Sequence, residues 1–247
     1  MRALVVAFVL VCALTSRPAL SEDTPAAQLA WREISTGAEV GHDSWSLYVT
    51  STIAPMGWLD QDGPRLRTTG GYGQYRYAGT RTIGGARMPT DFRGVATFSE
   101  VLIGYQLGYG AATFKGFAGA AAVHHKVTPF DAGNETSGGD IGVKAAVESW
   151  VNLGEQPWLS LDASWTAAHD SYASRLRAGW RVLPQVSAGI EAGAVGIESY
   201  DNARGGMFLR WAAAWGEVSA SGGRSRTLES VQSSDTTYGT LNVLVRY

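Results

Sequence analysis

The sequence predicts an all-β protein, an antiparallel transmembrane β-barrel of about twelve strands of the outer-membrane type, and three observations carry that prediction. The last segment, residues 238–247, alternates with period two. Gly239, Leu241, Val243 and Val245 fall on one face, Thr240, Asn242, Leu244 and Arg246 on the other, and the run closes on the aromatic Tyr247. The same alternation recurs along the chain in segments that place charge on one side only, which a 100° helical step would scatter around the circumference. The connections between these segments sort into short and long by parity, as in a barrel whose chain ends lie on one side of the membrane.

In chain order, Met1 and Arg2 form a short positive region, residues 3–14 an apolar run, and Pro18-Ala19-Leu20-Ser21 a small-residue cleavage site. Residues 1–21 therefore read as a secretory signal peptide and 22–247 as a single β-barrel domain. The apolar run is too short to span about 30 Å of hydrocarbon as a helix. The only cysteine, Cys12, lies in this leader, so the exported chain is expected to have no disulfide, thiolate metal ligand or cysteine nucleophile.

A weak first strand covers 31–40, with Ile34, Thr36, Ala38 and Val40 on one face, and Trp45, Leu47, Val49, Ser51 and Ile53 mark a second. The third, 65–77, mixes Leu66, Thr68 and Tyr72 with Tyr75 and Tyr77 and separates its faces least. Val95, Thr97, Val101, Ile103, Tyr105 and Leu107 define the fourth, which turns at Gly108-Tyr109-Gly110 into a fifth over 111–126. Ile141, Val143, Ala145, Val147 and Val151 give the sixth. In the seventh, Leu159, Leu161, Ala163 and Trp165 alternate with Ser160, Asp162, Ser164 and Thr166; in the eighth, Tyr172, Leu176, Trp180 and Val182 alternate with Arg175, Arg177 and Arg181. Strands over 186–197, 207–215, 218–225 and 238–247 complete the set. The connections 108–110, 154–157, 184–185 and 216–217 are tight, whereas 78–91, 127–139 and 226–237 are long. The connection 199–205 belongs to the loop side as well, and there are exceptions: 56–63 is long on the tight side, while 41–44 and 170–171 are short on the loop side.

A formal net charge of -2 gives no electrostatic footprint for nucleic acid. Beyond the leader no run approaches the roughly 20 apolar residues of a spanning helix. The 31 glycines, 9 tryptophans and 10 tyrosines suit a crowded wall with aromatic girdles, which makes membrane lipid or lipopolysaccharide the expected surroundings.

Two sets of side chains are candidates for function. Charges on a lipid face are costly, so Glu39, Arg65, Arg67, Glu100, Lys115, Lys144, Glu148 and Arg210, together with Asp162, Arg175, Arg177, Arg181 and Glu191, are expected to point into the lumen. Such charges either pair and plug a small barrel or line a conducting channel. The second set lies on the long-connection side: His42, Asp43, His124, His125, Asp131, His169, Asp170, Tyr172, Tyr200, Asp201 and Arg204. Its His-Asp pair recurs in Gly41-His42-Asp43-Ser44 and Ala168-His169-Asp170-Ser171. Imidazole beside carboxylate can bind a divalent cation, orient a general base, grip sugar hydroxyls or merely satisfy turn backbone. No nucleophile elbow, zinc-ligand spacing or phosphate loop accompanies them, so no catalytic residue, metal or cofactor is expected.

Taken as a set, Gly41-His42-Asp43-Ser44-Trp45-Ser46-Leu47-Tyr48, Gly70-Gly71-Tyr72-Gly73-Gln74-Tyr75-Arg76-Tyr77, Thr128-Pro129-Phe130-Asp131, Trp150-Val151-Asn152-Leu153, Ala168-His169-Asp170-Ser171-Tyr172, Tyr200-Asp201-Asn202-Ala203-Arg204-Gly205-Gly206 and Thr240-Leu241-Asn242-Val243-Leu244 resemble the alphaproteobacterial cellulose biosynthesis protein BcsS family, over residues 31–247. The resemblance implies an accessory protein of bacterial cellulose production at the cell envelope, with cellulose and other export components as partners; joined to the barrel and the leader read from the residues, the expectation is a non-enzymatic outer-membrane protein reached after signal-peptide export. It supplies no catalytic residues. Two other readings stay open: an outer-membrane hydrolase acting on lipid or glycan through a His/Asp rim site, and a small-solute channel.

Overall fold

The computed structural model describes residues 30–83, 85–134, 136–198, 200–228 and 235–247; the leader with Cys12 lies outside the described residues. Twelve strands follow one another: β1 Arg32–Gly41, β2 Ser44–Ile53, β3 Gly63–Ile83, β4 Ala86–Tyr109, β5 Ala112–Thr128, β6 Gly138–Asn152, β7 Pro157–Thr166, β8 Ser171–Leu183, β9 Val186–Ile197, β10 Tyr200–Ala213, β11 Gly216–Thr227 and β12 Asp235–Arg246. Each pairs antiparallel with its neighbours in sequence, and β12 closes on β1 in a register running from Glu33 opposite Arg246 to Gly41 opposite Tyr238. Closure satisfies the backbone of every strand without an edge, the condition for crossing hydrocarbon with strands.

The alternation read from the sequence is the inside-outside alternation of the wall. Ile34, Val49, Val101, Ile103, Val143, Leu161, Leu176, Ile190 and Leu241 all face outward, and the large ones are exposed on the isolated barrel. This apolar band is bounded at one end by outward Trp45, Tyr72, Trp165 and Tyr172 and at the other by Tyr105, Phe114, Trp180, Trp211 and Trp215. An apolar belt between two aromatic girdles is the surface of a barrel seated in a bilayer, and the protein is an outer-membrane protein.

Crowding inside the wall is relieved by placing glycine opposite an aromatic ring. Tyr48 faces Gly37, Tyr75 faces Gly94, Phe98 faces Gly71, Phe117 faces Gly104 and Trp158 faces Gly179. A Cβ at Gly94 would lie 2.0 Å from the Tyr75 ring, and one at Gly179 would lie 2.3 Å from the Trp158 ring. Only glycine lets the ring lie flat on the partner strand, so the richness in both residue types has one cause.

Strand lengths differ from the sequence expectation at the long-connection end. Residues 78–91 are expected to form a loop, but β3 and β4 continue paired until Ile83 meets Ala86, and their last turns are exposed on both faces. Likewise, 200–205 belongs to β10 and 226–227 to β11. Gly, Thr and Arg carry no apolar alternation, so a strand that leaves the membrane loses its sequence signal while keeping its ladder. The exceptional turn 56–63 also has a structural reason. It folds across the opposite end of the barrel, where Arg65 donates to the carbonyls of Trp58, Leu59 and Gln61 and Gln106 donates to that of Leu59.

Candidate functional site

The lumen is occupied by its own side chains. Arg67 pairs with Glu148, which also lies 3.8 Å from Lys115, and Lys144 pairs with Glu100, itself the acceptor of the Thr69 hydroxyl. Arg175 lies 3.5 Å from Asp162, and Arg177 Nε donates to Glu191 at 2.9 Å while the Tyr238 hydroxyl donates to the second oxygen of Glu191 at 2.8 Å. Arg204 pairs with Glu39, Arg210 with Glu217 and Arg246 with Glu33. Four of these cations also lie over rings: Arg67 over Phe117, Arg177 over Phe208, Arg204 over Tyr238 and Arg210 over Trp150. Arg181 sits at the tight-turn end, donating to the Glu155 carbonyl and the Asn152 side chain. Every lumen charge named from the sequence points inward; Glu33, Glu217 and Arg246 were missed because they stand near strand ends, where alternation is too brief to assign a face.

The packing is tight enough to decide what the interior can hold. Trp150 and Trp158 stack with ring centroids 4.0 Å apart and are each 1% exposed, while Arg177 is fully buried. A sugar ring needs an open aromatic face to stack on, and this pair uses its faces on itself. The small cavity between Tyr48, Glu217, Ser219 and Asn242 has room for no more than about one water molecule.

The rim candidates do not form one site. The two His-Asp turns join β1 to β2 and β7 to β8, which lie on opposite sides of the twelve-strand ring. His42 and Asp43 are open to solvent. His169 adopts φ 52° in the turn Ala168–Asp170; its amide donates to Asp140, and its Nδ1 lies 3.0 Å from Glu198. Asp170 accepts from the Trp165 indole, and the Ser171 hydroxyl donates to the Ala168 carbonyl rather than to a histidine. His125 lies within the barrel, not on the rim surface, 1% exposed and edge-on to His169 with ring centroids 5.5 Å apart. Its neighbour His124 faces outward, as strand geometry demands of adjacent residues. Arg204 is a lumen residue by its pairing with Glu39, and Asp201 accepts from the Tyr172 hydroxyl on the outer wall. Tyr200 lies in β10, but its side chain lies outside what is described.

Asp131 has a defined structural task. The Tyr77 hydroxyl donates to it at 2.8 Å, Asn134 donates to the same hydroxyl, and together they draw the connection after β5 over a cluster of Tyr75, Tyr77, Phe92, Phe98, Val123 and Val127. This cluster closes the long-connection end as the turn 56–63 covers the other. Among the described residues, no three His, Cys, Asp or Glu side chains converge on a position that could hold a metal ion.

Residues 34–247 match the family model described as cellulose biosynthesis protein BcsS. No curated protein matches the chain. Among solved structures, a KdgM porin is similar at 8% identity with a TM-score of 0.51, covering 87% of this chain and 99% of the porin. An outer-membrane channel from Pseudomonas putida F1 is similar at 12% identity with a TM-score of 0.50, covering 93% of this chain and all of the channel. At these identities the likeness is one of fold.

Proposed function

We propose, from the premise that this chain belongs to the cellulose biosynthesis protein BcsS family, that it is a non-catalytic accessory barrel that organises cellulose export at the cell surface without conducting the glucan itself. The observation that carries this reading is the filled lumen: paired charges and stacked tryptophans occupy the width that a polysaccharide would need, and both ends are covered. Twelve strands lie between the roughly eight whose interior side chains fill and the roughly 16–18 that leave an aqueous channel, so here the side chains decide whether the barrel is open. What is left for function is the outside of the wall and the long-connection end, where the β3–β4 hairpin stands clear of the barrel with both faces exposed. On this reading the hairpin, with the rim turns around His42 and Asp43, contacts emerging glucan or another export component. Residues 1–21 act as the export signal.

Among the described residues, the serine beside the second His-Asp pair, Ser171, donates to the Ala168 carbonyl rather than to His169, which does not favour the enzymatic reading. The deciding experiment is deletion of the gene in a cellulose-producing host, complemented either with the full chain or with a form whose hairpin tip, 80–89, is replaced by a two-residue turn. Lost cellulose attachment, restored by the full chain and not by the shortened hairpin, is expected. Unchanged cellulose yield and attachment on deletion would remove the reading.

A further inference from the structure

The outer wall carries a cluster of cations at the height where a membrane protein meets lipid headgroups. Arg76 on β3 and Arg93 on β4 face outward from directly opposed positions, and Lys126 on β5 faces outward two residues below Arg93's partner Thr128. Like charges directly opposite across a ladder repel, with Cβ atoms about 5 Å apart. None of the three has a side-chain hydrogen bond or ion pair among the described residues. The nearby acids are Asp91, one step diagonally above Arg76, and Asp43, whose carbonyl accepts the Arg76 amide and whose exposed carboxylate lies beside His42. Positive charge therefore exceeds negative on this patch.

Its depth follows from the register. Arg76 lies four positions beyond Tyr72 of the aromatic girdle, and Arg93 four beyond Thr97, the partner of Tyr72. With a rise of about 3.3 Å per residue and a strand tilt of about 40°, the arginines stand roughly 10 Å beyond the girdle. Between them and the girdle the outward wall is mixed, with Val95 among Gln74, Thr97 and His124, and the apolar stretch of Val101 and Ile103 lies deeper. Cations standing roughly 10 Å beyond the aromatic girdle and unpaired within the barrel match the phosphorylated headgroup of an amphiphile whose acyl chains lie against the apolar wall below the girdle. Guanidinium binds such phosphate by paired N–H donors.

The geometry points to a lipid-phosphate site on the outer face of β3–β5, in which Arg76, Arg93 and Lys126 hold the phosphorylated sugar headgroup of an outer-leaflet glycolipid. The phosphate neutralises the Arg76–Arg93 repulsion and fixes the barrel's height, leaving the β3–β4 hairpin clear of the membrane. This site is independent of any role in cellulose export.

The test uses the full-length protein purified from membranes, delipidated in detergent and examined by native mass spectrometry with bisphosphorylated lipid A. Wild type should retain the lipid, and the variant R76Q/R93Q/K126Q should retain about tenfold less, the scale of lost charge-assisted contacts. R32Q, which removes an outward charge at the opposite end, should retain it as wild type does. Heat-modifiable gel migration in the same detergent checks the fold; if the triple variant does not fold, R76Q and R93Q are read singly, each with a partial loss. Equal retention by the variants, equal retention of dephosphorylated lipid A, or displacement by inorganic pyrophosphate at equimolar concentration would each overturn the assignment, the last by showing a site for free phosphate rather than for lipid.

Discussion

Arg177 and Glu191 show how the interior tolerates charge. Burial removes both groups from water, and the cost is met only because Glu191 accepts from Arg177 on one oxygen and from Tyr238 on the other. Replacing Glu191 by alanine leaves a buried guanidinium alone, and a loss of about 3 kcal/mol is expected, seen as a lower urea midpoint for loss of the heat-modifiable form. Gly94 and Gly179 make a different prediction. Alanine at either position pushes a ring off the opposite strand, and overpacking of about 1–3 kcal/mol should follow in the same assay, whereas alanine at Gly116, whose added Cβ meets nothing within 4 Å, should be nearly neutral. His42, exposed in its turn, should tolerate alanine within about 0.5 kcal/mol, which separates it from His169, whose side chain is largely covered, despite their shared His-Asp-Ser context.

The β3–β4 hairpin separates ladder from burial. Inside the bilayer the two strands read as alternating apolar and polar, and beyond it they run on through Thr80, Arg81, Arg87 and Thr90 with no face to bury. Shortening it at 80–89 is therefore expected to leave the barrel's migration and melting unchanged, because the described side chains of 80–82 and 85–89 are exposed. By contrast, Ile190→Arg on the outward face of β9 puts a cation against hydrocarbon and should cost about 2–4 kcal/mol in a lipid-refolding titration, with a smaller penalty for an arginine placed near the girdle at Tyr172. The connection after β5 is held by the Tyr77–Asp131 hydrogen bond, so Asp131→Ala should release that segment first, as protease cleavage within 129–137 while the wall stays intact.

For the molecule as a whole, a filled and covered barrel should show no steady ion conductance in planar bilayers, while its outer-membrane fraction should migrate differently before and after boiling. A stable conductance would mean that the two covering segments open. The sequence by itself determined the strand number and the inside-outside alternation of the wall, because hydrocarbon on one side imposes a period of two that each strand obeys locally. The family resemblance, too, was legible in its motifs. The pairing of each lumen charge, the separation of the two His-Asp turns, the burial of His125 and the extension of β3 and β4 were decided only by the tertiary structure. Those depend on which strands face one another across the lumen: Arg204 meets Glu39 over 165 positions of sequence, a contact that barrel closure alone creates. The outward cluster of Arg76, Arg93 and Lys126 has the same origin, since three cations far apart in the chain become neighbours only when the register of three strands is set.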